Sequence, residues 1–273
     1  MPPPDAAHQV DALFFAPHPD DAEIGAGGLI LSLHAAGRTT AIIDLSEGEA
    51  ASSGTVEIRY EEAERARQIL GVAYRENLKL PDGGIEDVYD TRLLAAAAIR
   101  RYQPTIVVAP YFSADPPGRG IRHSDHYQTG LIASNAFNYA HLRQLPIDGE
   151  PWQATAIYYY MVPRTVAPTF VVDFTQYLDT YLAAIRAHHS QFGHMFDRPE
   201  SMAEIFGQTP FELRGRFDGW QWSGGGFAQP FWSPDPLVVA DVVGLAEQQV
   251  TLMQRMDQLR DAHRETADRT ATG

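Results

Sequence analysis

The chain contains no cysteine. Disulfides, thiolate nucleophiles and cysteine-built zinc sites are excluded together, so any metal has to be held by histidine and carboxylate. Basic residues are scarce too: 21 Lys and Arg stand against 35 Asp and Glu, a formal charge of −14. Such a surface repels phosphate backbones and anionic membranes, so neither nucleic acid nor a membrane is expected as a partner. Solubility alone accounts for an acidic excess of this kind. No apolar stretch reaches the ~20 residues of a membrane span. The start, Met1-Pro2-Pro3-Pro4-Asp5, has neither the basic residues nor the apolar run of a secretory leader. A cytoplasmic protein is the expectation.

What is present is ample for a core: 273 residues, 44% of them hydrophobic. Short apolar runs at 10–16, 39–45 and 105–110 read as buried parallel strands. Between them, residues 22–36, 56–70 and 90–102 carry helix-period apolar positions that close at Gly37, at Gly71 and before Pro104. This alternation predicts an α/β fold, a Rossmann-like doubly wound and mostly parallel sheet flanked by helices. Two further strands are expected at 156–161 and 169–174, then a helix over 175–188. The stretch 217–236 holds three of the four Trp, Gly224-Gly225-Gly226 and three prolines, and reads as an aromatic loop. From 238 to 264, Val242, Leu245, Gln249, Leu252, Met256 and Leu259 alternate spacings of three and four, the seam of an amphipathic helix. The expected organisation is one domain over 1–237 and a C-terminal helical extension over 238–273, whose last residues, 266–273, are disordered.

Two polar clusters follow strands. One is Ala16-Pro17-His18-Pro19-Asp20-Asp21-Ala22-Glu23; the other is His123-Ser124-Asp125-His126, in the long loop after the strand ending at Pro110. In an open parallel sheet the carboxyl ends of strands face a common crevice, and loops after two strands flanking the switch point meet there. A catalytic zinc takes three protein ligands and leaves a fourth position to water, a count that His18, Asp21 and His126 satisfy. Asp20 is then free as a general base. His123 is placed to stabilise an oxyanion or donate a proton, and Asp125 to orient a histidine. The same ligands accept iron, cobalt or manganese.

A bland alternative for Asp20 or Asp21 is the N-cap of the following helix. For His34, His188, His189 and His194 a surface or packing role is expected. Gly25-Ala26-Gly27-Gly28 suggests a dinucleotide fingerprint, but His18-Pro19-Asp20-Asp21 fills the turn and Ile30 takes the third glycine's place. Carboxylates at that turn would repel a pyrophosphate, so these small residues are expected to permit close helix packing.

The two clusters resemble the A-H-P-D-D-E-like turn and later H-P-D-H of the LmbE-like, or PIG-L, deacetylases. The likeness extends to the bacillithiol-biosynthesis branch, in Asp20-Asp21-Ala22-Glu23-Ile24-Gly25, Gly54-Thr55-Val56-Glu57-Ile58-Arg59, Asn77-Leu78-Lys79-Leu80-Pro81-Asp82-Gly83 and Ser190-Gln191-Phe192, and covers about residues 8–235. The resemblance implies Zn2+ on His18, Asp21 and His126, Asp20 as base, His123 as partner of the tetrahedral intermediate, and sugar contacts at Glu47 and Arg59. It implies hydrolysis of the acetamide of an N-acetylglucosamine glycoside, with N-acetylglucosaminyl malate as the branch's substrate. Another N-acetylglucosamine compound, such as a chitobiose-like disaccharide or a glycosylated natural product, is the alternative, and a metal- or sugar-binding protein without catalysis is a further one. It also implies a homo-oligomer, trimeric or hexameric. Departures from the pattern are Ser124 in place of Pro, the longer loop at 112–122, and Ser52-Ser53 where relatives carry a basic side chain.

Overall fold

The computed structural model describes residues 8–112, 123–197 and 209–237. The segment 113–122 of the long loop, the expected C-terminal helix and the expected disordered tail lie outside these residues.

Five strands, β1 (Ala12–Ala16), β2 (Thr40–Ser46), β3 (Tyr74–Leu80), β4 (Ile106–Pro110) and β5 (Ala156–Tyr160), form one parallel sheet in the order β3-β2-β1-β4-β5. The chain winds outward from β1 in one direction, then returns to lay β4 on its other side. That reversal is the switch point of a doubly wound sheet. Helices α1 (Asp21–Ala35), α2 (Val56–Leu70), α3 (Tyr89–Tyr102), α4 (Ser124–Tyr139), α5 (Leu178–Ala187), α6 (His189–Asp197) and α7 (Pro210–Trp222) surround it.

Both faces of β1 are buried, which its unbroken apolar run requires. Leu13 and Phe15 pack with Ala95 and Ile99 of α3 and Ile132 of α4. Phe14 packs on the other side, with Ala26 and Ile30 of α1 and Ile185 of α5. α1 lies close because it lacks bulk: a Cβ on Gly25 would stand 2.2 Å from the ring of Tyr160 in β5. At Gly28 the backbone N–H instead donates to Gln229 Oε1 at 2.8 Å. The small residues of α1 thus serve packing.

Four differences from the sequence expectation have physical reasons. β3 is absent from it because Tyr-Arg-Glu-Asn-Leu-Lys-Leu is the polar sequence of an edge strand, half-buried rather than apolar. The stretch expected as a loop at 217–236 is instead the second half of α7, a turn through Gly224–Gly226 and strand β7 (Ala228–Phe231). Its start was encoded upstream: Thr209 and Glu212 form a reciprocal capping box around Pro210. The strand expected at 169–174 is β6 (Phe170–Asp173), which pairs antiparallel with β7 in a separate small sheet. Finally, Ser124, Asp125 and His126 lie in the first turn of α4, with His123 as its N-cap, and not in a loop.

A buried charge network ties the helices to the sheet beneath the first polar cluster. Arg75 of β3 forks onto Asp44 of β2 (2.7 and 3.0 Å) and reaches Glu23 of α1 at 2.5 Å. Glu23 also meets His188, at the end of α5, at 2.9 Å. His188 is fully buried and hydrogen-bonded to α1, which makes it more than the surface or packing residue expected. Burial opposes the charge on Glu23, but Arg75 and His188 together hold its carboxyl well below the usual range. Burial pushes Asp44 up, with Arg75 opposing. Removing one member of such a set leaves uncompensated buried charge, at a cost of about 3–5 kcal/mol. Arg75→Met is therefore expected to lower unfolding stability by about that amount in denaturant titration; a loss below about 1 kcal/mol would show the network to be inert.

Candidate metal centre

The carboxyl end of β1 runs into Pro17-His18-Pro19-Asp20, and α1 begins at Asp21. Asp20 occupies the N-cap position but makes no capping bond, and its φ of 140° is one that L-residues rarely adopt. Strain of this kind costs about 1–3 kcal/mol and persists only where surroundings enforce it. Here they do: Asp20 Oδ2 accepts from Arg59 Nη2 at 2.9 Å, and the same guanidinium donates to the carbonyls of Pro19 and Gly48 at 2.8 and 3.1 Å. The capping alternative thus fails for Asp20, whose side chain turns to Arg59.

Across the switch point, α4 begins just after β4. Asp125 N–H donates to His123 Nδ1 at 3.4 Å, which fixes the N-cap and leaves Nε2 as the nitrogen that carries the proton. His126 projects from the same turn, its Nε2 3.3 Å from Asp21 Oδ1. Asp21 Oδ2 lies 3.0 Å from His18 Nδ1. One donor atom each from His18, Asp21 and His126 falls within 4.8 Å of the others, as a single divalent ion requires. A second set, His18, His123 and Asp125, meets the same criterion. Two imidazoles and a carboxylate suit zinc, iron or cobalt, so the donor chemistry fits the metal that the sequence implied.

The sequence reading missed Asp82. It sits in the turn after β3, and its Oδ1 lies 3.0 Å from His18 Nε2. Asp125 Oδ2 lies 3.3 Å from the same nitrogen and accepts Gly83 N–H at 2.8 Å. The other nitrogen of His18 faces Asp21, so two carboxylates stand ready to orient its ring, as outer partners of a ligating histidine do. The signal for Asp82 was a Pro-Asp-Gly turn at the carboxyl end of a strand, visible only once β3 is recognised as one.

The electrostatics follow from crowding. Burial works to lower His18, but the hydrogen bond and charge of Asp21, with Asp82 and Asp20 behind, raise it to about 9. Burial and then the charge of Asp21 push Asp20 up to about 7, against His188 and Arg59. Asp21 itself is held low despite burial, by His126 and His18. A carboxyl poised near neutrality is what a general base needs.

The candidate residues separate into two groups. His18, Asp20, Asp21, His123, Asp125 and His126 come together, and Arg59 joins them through Asp20. Glu47 stands apart on the rim, bonded to Tyr60 Oη at 2.7 Å and Lys79 Nζ at 3.2 Å.

Two histidines and a carboxylate at a switch point, with a spare carboxylate and a spare histidine beside them, make a centre suited to metal-assisted hydrolysis. A family profile described as PIG-L, GlcNAc-PI de-N-acetylase, matches residues 13–137, which span both clusters. The diacetylchitobiose deacetylase of Thermococcus kodakarensis is 30% identical over 213 residues, 71% of this chain and 72% of that protein. The chain belongs to the PIG-L, or LmbE-like, family of deacetylases. Among solved structures, the conserved protein TT1542 from Thermus thermophilus is 35% identical with a TM-score of 0.73, covering 86% of this chain and 99% of that one. The N,N′-diacetylchitobiose deacetylase of Pyrococcus horikoshii is 26% identical with a TM-score of 0.67, covering 81% and 82%. Among the described residues, no helix is long and apolar enough to cross a membrane.

His126→Ala is expected to abolish stoichiometric zinc in elemental analysis. Asp82→Asn, which weakens only the orientation of His18, should retain the metal with about 10–100-fold lower affinity. Full zinc content at wild-type affinity in both variants would remove the proposed ligand set.

Proposed function

We propose that the chain is a zinc-dependent N-deacetylase that hydrolyses the acetamide of a neutral N-acetylglucosamine glycan, a chitobiose-like disaccharide in the first instance. The convergence of His18, Asp21 and His126 with the uncommitted functions of Asp20 and His123 carries this reading. A binding protein has no need of the last two.

Zinc held by the three ligands would polarise the acetamide carbonyl and acidify water. Asp20 takes the proton of the attacking water. Arg59 engages its Oδ2, so among the described residues Oδ1 is the oxygen left for that proton. His123 presents Nε2–H toward the developing oxyanion, a donor fixed in advance by the cap that its Nδ1 makes. As the C–N bond breaks, the amine leaves with the proton that Asp20 took from the water, giving acetate and the amino sugar. Asp125, fully buried, holds the turn from which His123 and His126 project.

Charge at the rim favours a neutral aglycone over malate. Glu47 and Glu49 contribute carboxylates there, and Ser52 and Ser53 are exposed and uncharged. Among the described residues the nearby cations are paired, Arg59 with Asp20 and Lys79 with Glu47. An anionic aglycone would thus be desolvated among like charges. Glu47, on the rim, and Arg59, at the floor, remain the sugar-binding candidates. The T. kodakarensis and P. horikoshii relatives are named for diacetylchitobiose, which supports the same substrate class here.

Acetate release should be faster from diacetylchitobiose than from N-acetylglucosaminyl malate; the reverse order would return the chain to the bacillithiol branch. Asp20→Asn should keep its zinc and lose about 10²–10⁴ in rate. Full turnover by that variant would refute Asp20 as the base.

A further inference from the structure

The junction of α5 and α6 contains none of the metal ligands, yet its side chains fasten three elements that surround them. His188 reaches Glu23 of α1 at 2.9 Å. Ser190 donates from both its N–H and its hydroxyl to the carboxylate of Glu62 on α2, each at 2.7 Å. Gln191 Nε2 donates to the carbonyl of Ser53 at 2.6 Å and to Ser190 Oγ at 3.0 Å.

Ser53 belongs to the loop 47–54 between β2 and α2. Gly48 and Gly54 bracket it at φ values of 71° and 82°. A Cβ on Gly54 would stand 2.7 Å from Ser190 Oγ, so the close seat of the loop on the α5–α6 junction depends on glycine there. Most of the loop is exposed, and little apolar burial holds it. Its position therefore rests on polar bonds at its two ends, each working against the entropy of a short flexible segment.

The other end of the loop holds Asp82. Glu49 Oε1 accepts Asp82 N–H at 2.7 Å, and Ala50 N–H donates to Asp82 Oδ2 at 3.0 Å. Asp82 Oδ1 in turn lies 3.0 Å from His18 Nε2. A continuous line of contacts thus runs from Gln191 through Ser53, the loop and Asp82 to His18.

We infer that Gln191, seated by Ser190 and His188, is a positioning residue that fastens the loop 47–54 so that the loop holds Asp82 against His18 and sets that imidazole for the metal. This rests on the metal-centre reading above. Ser190 and Glu62 form the base: their bonds fix the helix junction on α2, so that Gln191 meets the loop at a set height. Gln191 is only partly buried, so its replacement perturbs the loop without opening the core.

The test uses the full chain and three readouts: hydrogen exchange at the amides of Ala50 and Asp82, zinc affinity by chelator competition, and acetate release. Gln191→Ala, and Gln191→Glu, which keeps the size but loses the donor, should both speed exchange at these amides about tenfold. Zinc affinity should weaken about tenfold, the low end of the effect of removing an outer partner of a ligand, with the thermal midpoint unchanged. In the Asp82→Asn background, Gln191→Ala should weaken zinc no further, since residues acting in series are not additive. Three results would overturn the inference: unchanged exchange in the loop, faster exchange with unchanged zinc affinity, or additive effects in the double variant. If the wild-type chain released no acetate from any N-acetylglucosamine compound, the proposed reaction would fall while exchange and zinc affinity still decided the role of Gln191.

Discussion

Oxygen atoms of three carboxylates, from Asp21, Asp82 and Asp125, lie within 3.3 Å of the ring nitrogens of one histidine, His18. Carboxylates crowded this closely around one imidazole repel one another strongly in a medium poorer in screening than water. The arrangement is tolerable only with positive charge at its centre. A proton on His18 answers part of the need, which is why that imidazole is driven up to about 9. A divalent ion answers more of it. The fold achieves this crowding with rigid parts: the ends of β1 and β3 and the first turn of α4 each deliver one contributor, and the backbone N–H groups of Ala50 and Gly83 secure Asp82 and Asp125.

Cationic side chains below the centre balance the acidity above. Arg59 holds Asp20 in an unfavourable backbone conformation, and Arg75 joins Glu23 and Asp44 so that the first turn of α1 is anchored to β2 and β3. Neither arginine is placed to stabilise the protein as well as an apolar pair would, given the desolvation of both partners. Their effect is directional. Asp20 faces the crevice because Arg59 competes successfully with the helix for its carboxylate, and Glu23 keeps α1 from rotating because Arg75 and His188 hold its carboxylate from different elements.

The legible part of this molecule was local. His18, Asp20 and Asp21 sit within four residues of one another after a strand marked by an unbroken apolar run, and His123, Asp125 and His126 within four of one another after the next such strand on the other side of the switch. Periodicity also located α2 to the residue, because Thr55 and Gly71 cap it with standard chemistry. What escaped was carried by contacts distant in sequence or by mixed patterns. β3 is an edge strand whose polar residues serve the charge network, so its sequence lacks the apolar signature. Asp82 needs β3 to be seen before its position has meaning. His188 looks like any histidine at a helix end, and its importance lies in Glu23, a partner 165 positions away.

The polar centre and its rim are built from different parts of this structure. His18, Asp20, Asp21, His123 and His126 project from the end of β1 and the start of α4, among buried strands that cannot shift without disturbing the core. Glu47, Tyr60, Lys79 and the loop 47–54 stand around them, exposed in large part and joined to the rest by polar bonds. Substitution at the rim changes the charge beside the crevice and leaves the histidine–carboxylate cluster in place. A family can therefore keep one deacetylating centre while its members diverge in substrate. In this chain the cations of the described rim are paired with Asp20 and Glu47, so on the proposed deacetylase reading an anionic aglycone meets repulsion there.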